Sequence, residues 1–147
     1  MRGVTDMRRT LLKNPGIAHF LLLFAVILGI VELGLYLLYG RTSFDPNYSL
    51  YAIAGMGAGI LFGLIGLFSG LRAFAFLSYL AFLYGFIHLV VSQINLIANI
   101  LYGVDGSTFP VTFYVMMGAA FLSFVLALLS GVTMKQKGKE VQNETEE

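Results

Sequence analysis

Apolar residues occur in four long runs, and short polar segments separate one run from the next. A helix needs about 20 apolar residues to cross a lipid bilayer, and each run reaches that length. The pattern therefore predicts four transmembrane helices. The third is long enough to tilt or to project beyond the membrane. The predicted spans cover about residues 17–39, 48–68, 73–101 and 111–134.

The chain outside the runs is short or charged, so the runs hold the only predicted folded unit. Residues 1–15 are basic, and residues 135–147 are charged and lack aromatic side chains, as is typical of a disordered tail. The first run is too long for the apolar part of a signal peptide and has no small-residue cleavage site after it, so we expect it to stay uncleaved. A single four-helix transmembrane domain is thus predicted over residues 16–134.

Lysine and arginine are distributed unevenly between the two predicted sides of the membrane. The N-terminal segment, the second connection and the tail carry nearly all of them, and only Arg41 lies on the other side. The positive-inside rule then predicts that both termini are cytoplasmic, in a plasma or inner membrane. The basic residues of the three segments are Arg2, Arg8, Arg9, Lys13, Arg72, Lys135, Lys137 and Lys139.

The composition agrees with an all-α integral membrane protein built as a four-helix bundle. Of 147 residues, 58% are hydrophobic and 12% are charged, whereas a soluble domain carries about a quarter charged residues. Lipid is therefore the expected solvent, and no nucleic-acid partner or cofactor is expected. The absence of cysteine excludes disulfides, thiolate metal sites and cysteine nucleophiles.

Glycines recur along one side of the second predicted span. On a helix they fall within a sector of roughly 80°, which allows another helix to approach closely. We expect a helix-packing surface that joins the second span to the fourth or to a second copy of the chain. The glycines are Gly55, Gly59, Gly63, Gly66 and Gly70. The fourth span offers a matching small face at Ala119, Ala120, Ser123, Ala127 and Ser130.

Polar residues form a stripe on the third predicted span. His88, Ser92, Asn95 and Asn99 are spaced by four, three and four residues, and lie within about 60° on a helix. Polar side chains are costly against lipid, so this stripe is expected to face protein or water. Gln93 lies off the stripe and needs a partner of its own.

Glu32 is the one acidic residue inside a predicted span. Its burial costs about 2.5–3.5 kcal/mol on insertion scales, unless the group is protonated, paired or hydrated. Its depth matches that of Ser92, so we expect Glu32 to pack against the stripe of His88, Ser92 and Asn95. This intramembrane polar cluster could be a proton-sensitive site or pocket, or a hydrogen-bond cluster that holds helices in register.

Cofactor ligation is not expected from the two histidines. His19 and His88 are offset by about 13 Å in depth, so they do not suit a shared haem, and with Glu32 they do not converge on a zinc ion. We predict no catalytic and no metal-binding residues. Tyrosines near the span ends suit an interfacial belt or, alternatively, a stacking site for a quinone. They are Tyr36, Tyr39, Tyr48, Tyr51, Tyr102 and Tyr114.

The layout resembles that of the small multidrug-resistance transporters in its four short spans and its single carboxylate in the first. The resemblance implies a site at Glu32 that binds drug and proton. The sequence around it, ILGIVELGLYLLYG, departs from that family's first-span pattern, which puts the role in doubt. The strong charge bias also disagrees with the inverted dimer that the resemblance implies.

Three functions are compatible with these patterns. The first is a non-catalytic accessory or scaffold subunit of a membrane complex, acting through close helix packing with other subunits or copies of itself. The second is a small oligomeric transporter or channel that uses the Glu/His/Asn polar cluster. The third is a quinone- or haem-associated respiratory subunit. The sequence favours the first, because it contains no catalytic constellation and one of its helices has a face suited to close packing.

Overall fold

A computed structural model describes residues 16–39, 49–104 and 108–134, and every element in these ranges is helical. The predictions for the N-terminal segment, most of the first connection and the tail concern residues outside these ranges. The helices are α1 (Ile17–Tyr39), α2 (Leu50–Ser69), α3 (Arg72–Ser92), α4 (Ile94–Leu101) and α5 (Val111–Thr133).

Four of the helices, α1, α2, α3 and α5, are long and apolar enough to cross a membrane. They coincide with the four predicted spans except at the end of the third. The prediction of four long apolar helices is therefore confirmed, and their length and composition suggest an integral membrane protein.

The third span is not one continuous helix, which corrects the prediction for residues 73–101. The break lies at Gln93, where ψ is 5° instead of the helical value of about −42°. The Ser92 hydroxyl donates to the Leu89 carbonyl at 2.8 Å, and the Gln93 N–H donates to the same carbonyl at 3.2 Å. The helical backbone conformation is interrupted at this one residue, so α3 ends at Ser92 and α4 begins at Ile94.

The ends of α2 are defined by two capping residues. The Ser49 hydroxyl accepts the Ala52 N–H at 3.3 Å, which satisfies one free donor of the first turn. Gly70 follows the last turn with φ of 65°, in the left-handed region that glycine adopts without a steric penalty. Gly70 was predicted to continue the packing stripe, whereas in the structure it ends the helix.

The four long helices form an antiparallel bundle in which α1 and α3 each pack against α2 and α5. The pairs α1/α3 and α2/α5 therefore lie on the two diagonals. One end, called the Ser49 end, contains the last turns of α1 and α3 and the first turn of α2. The other, called the His19 end, contains the first turn of α1 and the last turns of α2 and α5.

The buried core forms three clusters along the bundle axis. The cluster at the His19 end includes Leu22, and the middle cluster is centred on Phe82. The cluster at the Ser49 end is the largest and contains Tyr36, Ala52, Met56, Leu89, Met116 and Ala120. Many leucine, isoleucine and phenylalanine side chains on the outer faces are exposed. An apolar outer surface of this kind suits a lipid environment.

The glycine stripe of α2 lies inside the bundle. A Cβ atom on Gly55 would lie 2.6 Å from the Cα of Gly85, so α2 and α3 meet backbone to backbone there. Further along, Gly59 faces the ring of Phe82 and Gly63 faces the side chain of Val26. Gly66 has α1 and α3 atoms close by as well. The stripe thus packs on α3 and α1, and the predicted partnership with the fourth span is wrong because α2 and α5 are diagonal.

The small face of α5 packs instead against α1 and α3. The Ser130 hydroxyl donates to the Ala18 carbonyl of α1 at 2.7 Å. On the α3 side, a Cβ atom on Gly131 would lie 3.2 Å from the Phe76 ring. The rest of the face, Ala119, Ala120, Ser123 and Ala127, is also buried.

Candidate functional site

A cavity of about 450 Å³ lies at the Ser49 end, between α2, α3 and α4. Its size is in the range of sites for small molecules. Five of the seven lining residues carry polar side chains, so the cavity offers hydrogen-bond donors and acceptors beside a larger apolar surface. The lining residues are Ser49, Tyr51, His88, Val91, Ser92, Ile94 and Asn95.

His88 is held in this cavity by two aromatic rings. Its ring centre lies 5.3 Å from that of Tyr51, at an interplanar angle of 29°, and 4.4 Å from that of Tyr84. Both tyrosines are exposed, whereas the next residue of α3, Leu89, is fully buried. His88 therefore faces the α2–α3 side of the bundle and not its centre.

The Tyr36 hydroxyl lies against two of the cavity-lining residues. It accepts the Ser49 N–H at 3.0 Å and is 3.5 Å from Ser92 Oγ. Only 2% of Tyr36 is exposed, so its ring belongs to the core and its hydroxyl reaches the inner side of the cavity. We had grouped Tyr36 with the interfacial tyrosines, which is incorrect for this residue. Tyr51, Tyr102 and Tyr114 are exposed.

Glu32 is buried one turn before Tyr36, on the same face of α1. It is 1% exposed, and its Oε2 atom has no hydrogen-bond partner. Leaving a polar atom without a partner in an apolar interior costs free energy, and the cost is far larger when the group is ionised. Glu32 thus differs from the bundle's buried serines at positions 78, 123 and 130, each of which donates to a backbone carbonyl.

The predicted polar cluster is only partly brought together. Among the described residues, Tyr36 contacts the stripe at Ser92, in the place that we had expected Glu32 to occupy. Because α1 and α3 are diagonal, the longer tyrosine side chain is the one that spans the distance. The stripe itself is divided by the break after Ser92. Asn95 lines the outer part of the cavity, whereas Asn99 is exposed on α4.

His19 lies at the other end of the bundle, far from this cavity. Its Nε2 atom is buried and has no hydrogen-bond partner, and a Cβ atom on Gly70 would lie 3.8 Å from it. Within the three described ranges, no three His, Cys, Asp or Glu side chains are close enough to hold a metal ion together.

Sequence reasoning did not place Ser49, Tyr51 or Tyr36 beside the polar stripe. Ser49 and Tyr51 belong to the start of the second span, and nothing in their spacing relates them to His88. Tyr36 follows Glu32 by four residues and so shares its helix face, yet the sequence assigned it only to an interfacial belt or a quinone-stacking site. The four-residue spacing between Tyr36 and a buried carboxyl group indicates a site more strongly than the position of Tyr36 near the span end indicates an interfacial role.

The structure thus has an open cavity and a buried acid towards the same end of the bundle, and Tyr36, on the helix that carries Glu32, contacts the cavity lining. No protein-family model matches this chain, and neither a curated protein nor a solved structure matches it.

Proposed function

We propose that this protein is a small membrane transporter whose site combines the cavity at the Ser49 end with the buried Glu32. The single observation that carries the proposal is the buried Glu32 oxygen without a partner, one helical turn from Tyr36, whose hydroxyl contacts Ser49 and Ser92 of the cavity lining. An ionisable group inside a membrane helix is costly, and it is usually retained for a function such as proton or substrate transfer.

A purely structural role explains Glu32 less well than it explains the other buried polar residues. The Ser78 hydroxyl donates to the Gly59 carbonyl at 2.7 Å, and the Ser130 hydroxyl donates to the Ala18 carbonyl at the same distance. These bonds join neighbouring helices and use the polar group fully. Glu32 Oε2 forms no such bond, so its burial gives the bundle no comparable stabilisation.

The core supports a carrier in preference to an open channel. Between the cavity and the His19 end, the bundle centre is filled by Phe82 and Leu22, which are almost fully buried. A channel needs a continuous polar path, whereas a carrier alternates between states that open to one side at a time. A cavity at one end of a bundle whose centre is filled by apolar side chains fits one state of a carrier better than it fits a channel.

The proposed orientation places the cavity on the side away from the cytoplasm. Arg72 and the beginning of α1 lie at the His19 end with the end of α5. We propose that the basic segments next to them in the sequence share that side. The positive-inside rule makes that side cytoplasmic in a plasma or inner membrane. Membrane lipids then contact the outer faces of the four long helices.

The test is transport by the full chain in proteoliposomes that contain a pH-sensitive dye. Amines, amino acids and sugars are added in turn, and we expect one of these classes to change the internal pH. The Glu32→Gln variant should abolish the signal, and His88→Ala should raise the concentration that gives a half-maximal response. Ser123→Ala is the matched control, because Ser123 bonds only within its own helix, to the Ala119 carbonyl. An unchanged signal in Glu32→Gln would contradict the proposal.

A second candidate is an accessory subunit of a larger membrane complex. The glycine stripe no longer supports it, because that surface is used inside the chain. The outward face of α2 does support it. Nothing lies within 4 Å of a Cβ atom placed on Gly57, and Ala54 is exposed one turn before. Small residues on an outward face allow a helix of another chain to approach closely.

The accessory function is tested by the mass and composition of the protein extracted in mild detergent. A stable complex with other chains, which Gly57→Leu dissociates, would favour this candidate over a transporter. A homogeneous oligomer of this chain alone would favour the transporter. A visible absorption spectrum would instead favour the haem-associated alternative.

A further inference from the structure

We propose that Tyr36 and Ser92 conduct protons between the open cavity and the buried carboxyl group of Glu32. The inference rests on the proposed function in taking Glu32 as the working group of the site. Proton exchange at Glu32 can nevertheless be measured without any transported molecule, so the two proposals can fail separately.

The hydrogen-bond directions at Ser92 suit such a connection. The Ser92 hydroxyl donates its own proton to the Leu89 carbonyl, so its oxygen is available to accept from Tyr36, 3.5 Å away. The Tyr36 oxygen is held from the other side by the Ser49 N–H. Ser92 lines the cavity and Tyr36 is buried, so this pair crosses the boundary between solvent and core.

Tyr36 and Glu32 are neighbours along α1. Residues four apart on a helix lie one above the other, with Cβ atoms about 5–6 Å apart. Both are almost fully buried, so they face the same part of the bundle interior. The order from solvent to core is therefore Ser92, Tyr36 and Glu32.

The groups that surround this level from the other helices are mostly apolar, which leaves few alternative routes, and Gln93, buried next to Ser92, is the polar exception. α2 contributes Ala52 and Met56, α3 contributes Leu89, and α5 contributes Met116 and Ala120. The titratable side chain of α3 nearest in sequence to Ser92 is His88, which lines the cavity. Towards the His19 end, the core contains Leu22, Val26 and Phe82.

The proposed step conserves atoms and charge. On release, the protonated Glu32 carboxyl gives its proton to the Tyr36 oxygen, Tyr36 gives its hydroxyl proton to the Ser92 oxygen, and Ser92 gives its own proton to cavity water. Each of the two hydroxyl oxygens loses one O–H bond and gains one, the Glu32 O–H bond breaks, and one O–H bond of a hydronium ion forms. Both hydroxyl groups then rotate back to their starting positions. The net change is one proton moved from Glu32 to cavity water, and uptake is the reverse sequence after both hydroxyl groups have rotated.

The experiment follows hydrogen–deuterium exchange at the Glu32 carboxyl group by infrared spectroscopy of the full chain in lipid. The carboxyl C=O band of Glu32 is assigned by its absence in Glu32→Gln, and its shift is timed after the change from H₂O to D₂O. We expect Tyr36→Phe to slow the exchange about tenfold or more, because it removes the proton carrier while keeping the ring. Ser92→Ala should slow it too, and by less, because cavity water can take the place of the hydroxyl.

Two controls separate a proton path from a general disturbance. Tyr79→Phe removes a hydroxyl from a half-buried tyrosine of α3 that packs on Phe124, away from Glu32, and should leave the rate unchanged. His19→Ala tests entry from the other end. If Tyr36→Phe does not fold, Ser92→Ala carries the test alone.

The proposal is wrong if Tyr36→Phe and Ser92→Ala both exchange at the wild-type rate, or if His19→Ala is the variant that slows exchange. Slower exchange in the Tyr36 and Ser92 variants, with no transport found for any compound, would support the proton path and contradict the transporter. Transport that depends on Glu32, with unchanged exchange in Tyr36→Phe and Ser92→Ala, would support the transporter and contradict the proton path.

Discussion

The two ends of the bundle use their polar residues in different ways. At the His19 end, Ser130 and Arg72 donate to the backbone carbonyls of Ala18 and Gly131, each at 2.7 Å. The Arg72 guanidinium also lies 5.3 Å from the centre of the Phe76 ring. At the Ser49 end, polar side chains meet other side chains and line a cavity instead.

The comparison shows that polarity inside a membrane bundle does not by itself indicate a site. A hydroxyl group that donates to a carbonyl of another helix has its donor satisfied, and the bond holds the two helices together. Glu32 Oε2 and His19 Nε2 are both buried without a hydrogen-bond partner, one towards each end, so an unpartnered atom alone does not distinguish the ends, whereas the polar side chains that line the cavity do. The predictions below test this contrast between a closed end and an open one.

The largest effect is expected where α2 and α3 touch through their backbones. Gly55→Leu should prevent stable folding or cost about 3 kcal/mol or more, because a side chain there meets the Gly85 backbone, which cannot rotate away. Denaturant unfolding of the detergent-solubilised protein measures the change. The matched variant is Gly57→Leu on the same helix, where the space is open and the fold should persist. Equal stability of the two variants would contradict the close approach.

A second effect is expected in the labelling of single cysteines, which the cysteine-free chain permits without background. Ser92→Cys should react with a thiol reagent at least about tenfold faster than Ser130→Cys, because the first lines a cavity and the second is fully buried. A reagent that cannot cross membranes should label Ser92→Cys in intact cells if the cavity faces outward. Similar labelling rates for Ser92→Cys and Ser130→Cys would contradict the difference in accessibility between the two ends of the bundle.

The smallest effect concerns the stability of the closed end. Ser130→Ala should lower the free energy of unfolding by about 1 kcal/mol, because the Ala18 carbonyl loses its bond from another helix. Ser123→Ala should cost less, since that hydroxyl donates to Ala119 within its own helix. Thermal unfolding in detergent compares the two variants. If Ser123→Ala is the more damaging, then bonds between helices are not what holds this end.

The number, length and position of the long helices were predictable, because hydrophobic runs and the length needed to span a bilayer determine them directly. The glycine stripe was also visible, although its partner was not. A stripe of glycines shows that another helix packs closely there. Which helix it is depends on how the helices are arranged in the bundle. The diagonal arrangement of α1 and α3 could therefore not be predicted from the sequence.

The candidate site was predicted in part, for a physical reason that Tyr36 illustrates. Spacing along a helix places His88 and Ser92 on a shared face, but it does not show which side chain of a distant helix reaches them. The break at Gln93 was missed as well, because it is a change of ψ at a single residue. Such a change does not interrupt the run of apolar residues from which the span was predicted.

The break gives the cavity one wall that is separate from the bundle. α4 contributes Ile94 and Asn95 to the lining, yet none of its residues is buried, and only Gln93 joins it to α3. Moving this short helix outward would therefore forfeit little apolar contact and leave the glycine contacts of α2 and α3 intact. α4 is thus a wall of the cavity that is anchored outside the buried core, whereas α2 and α3 are anchored within it.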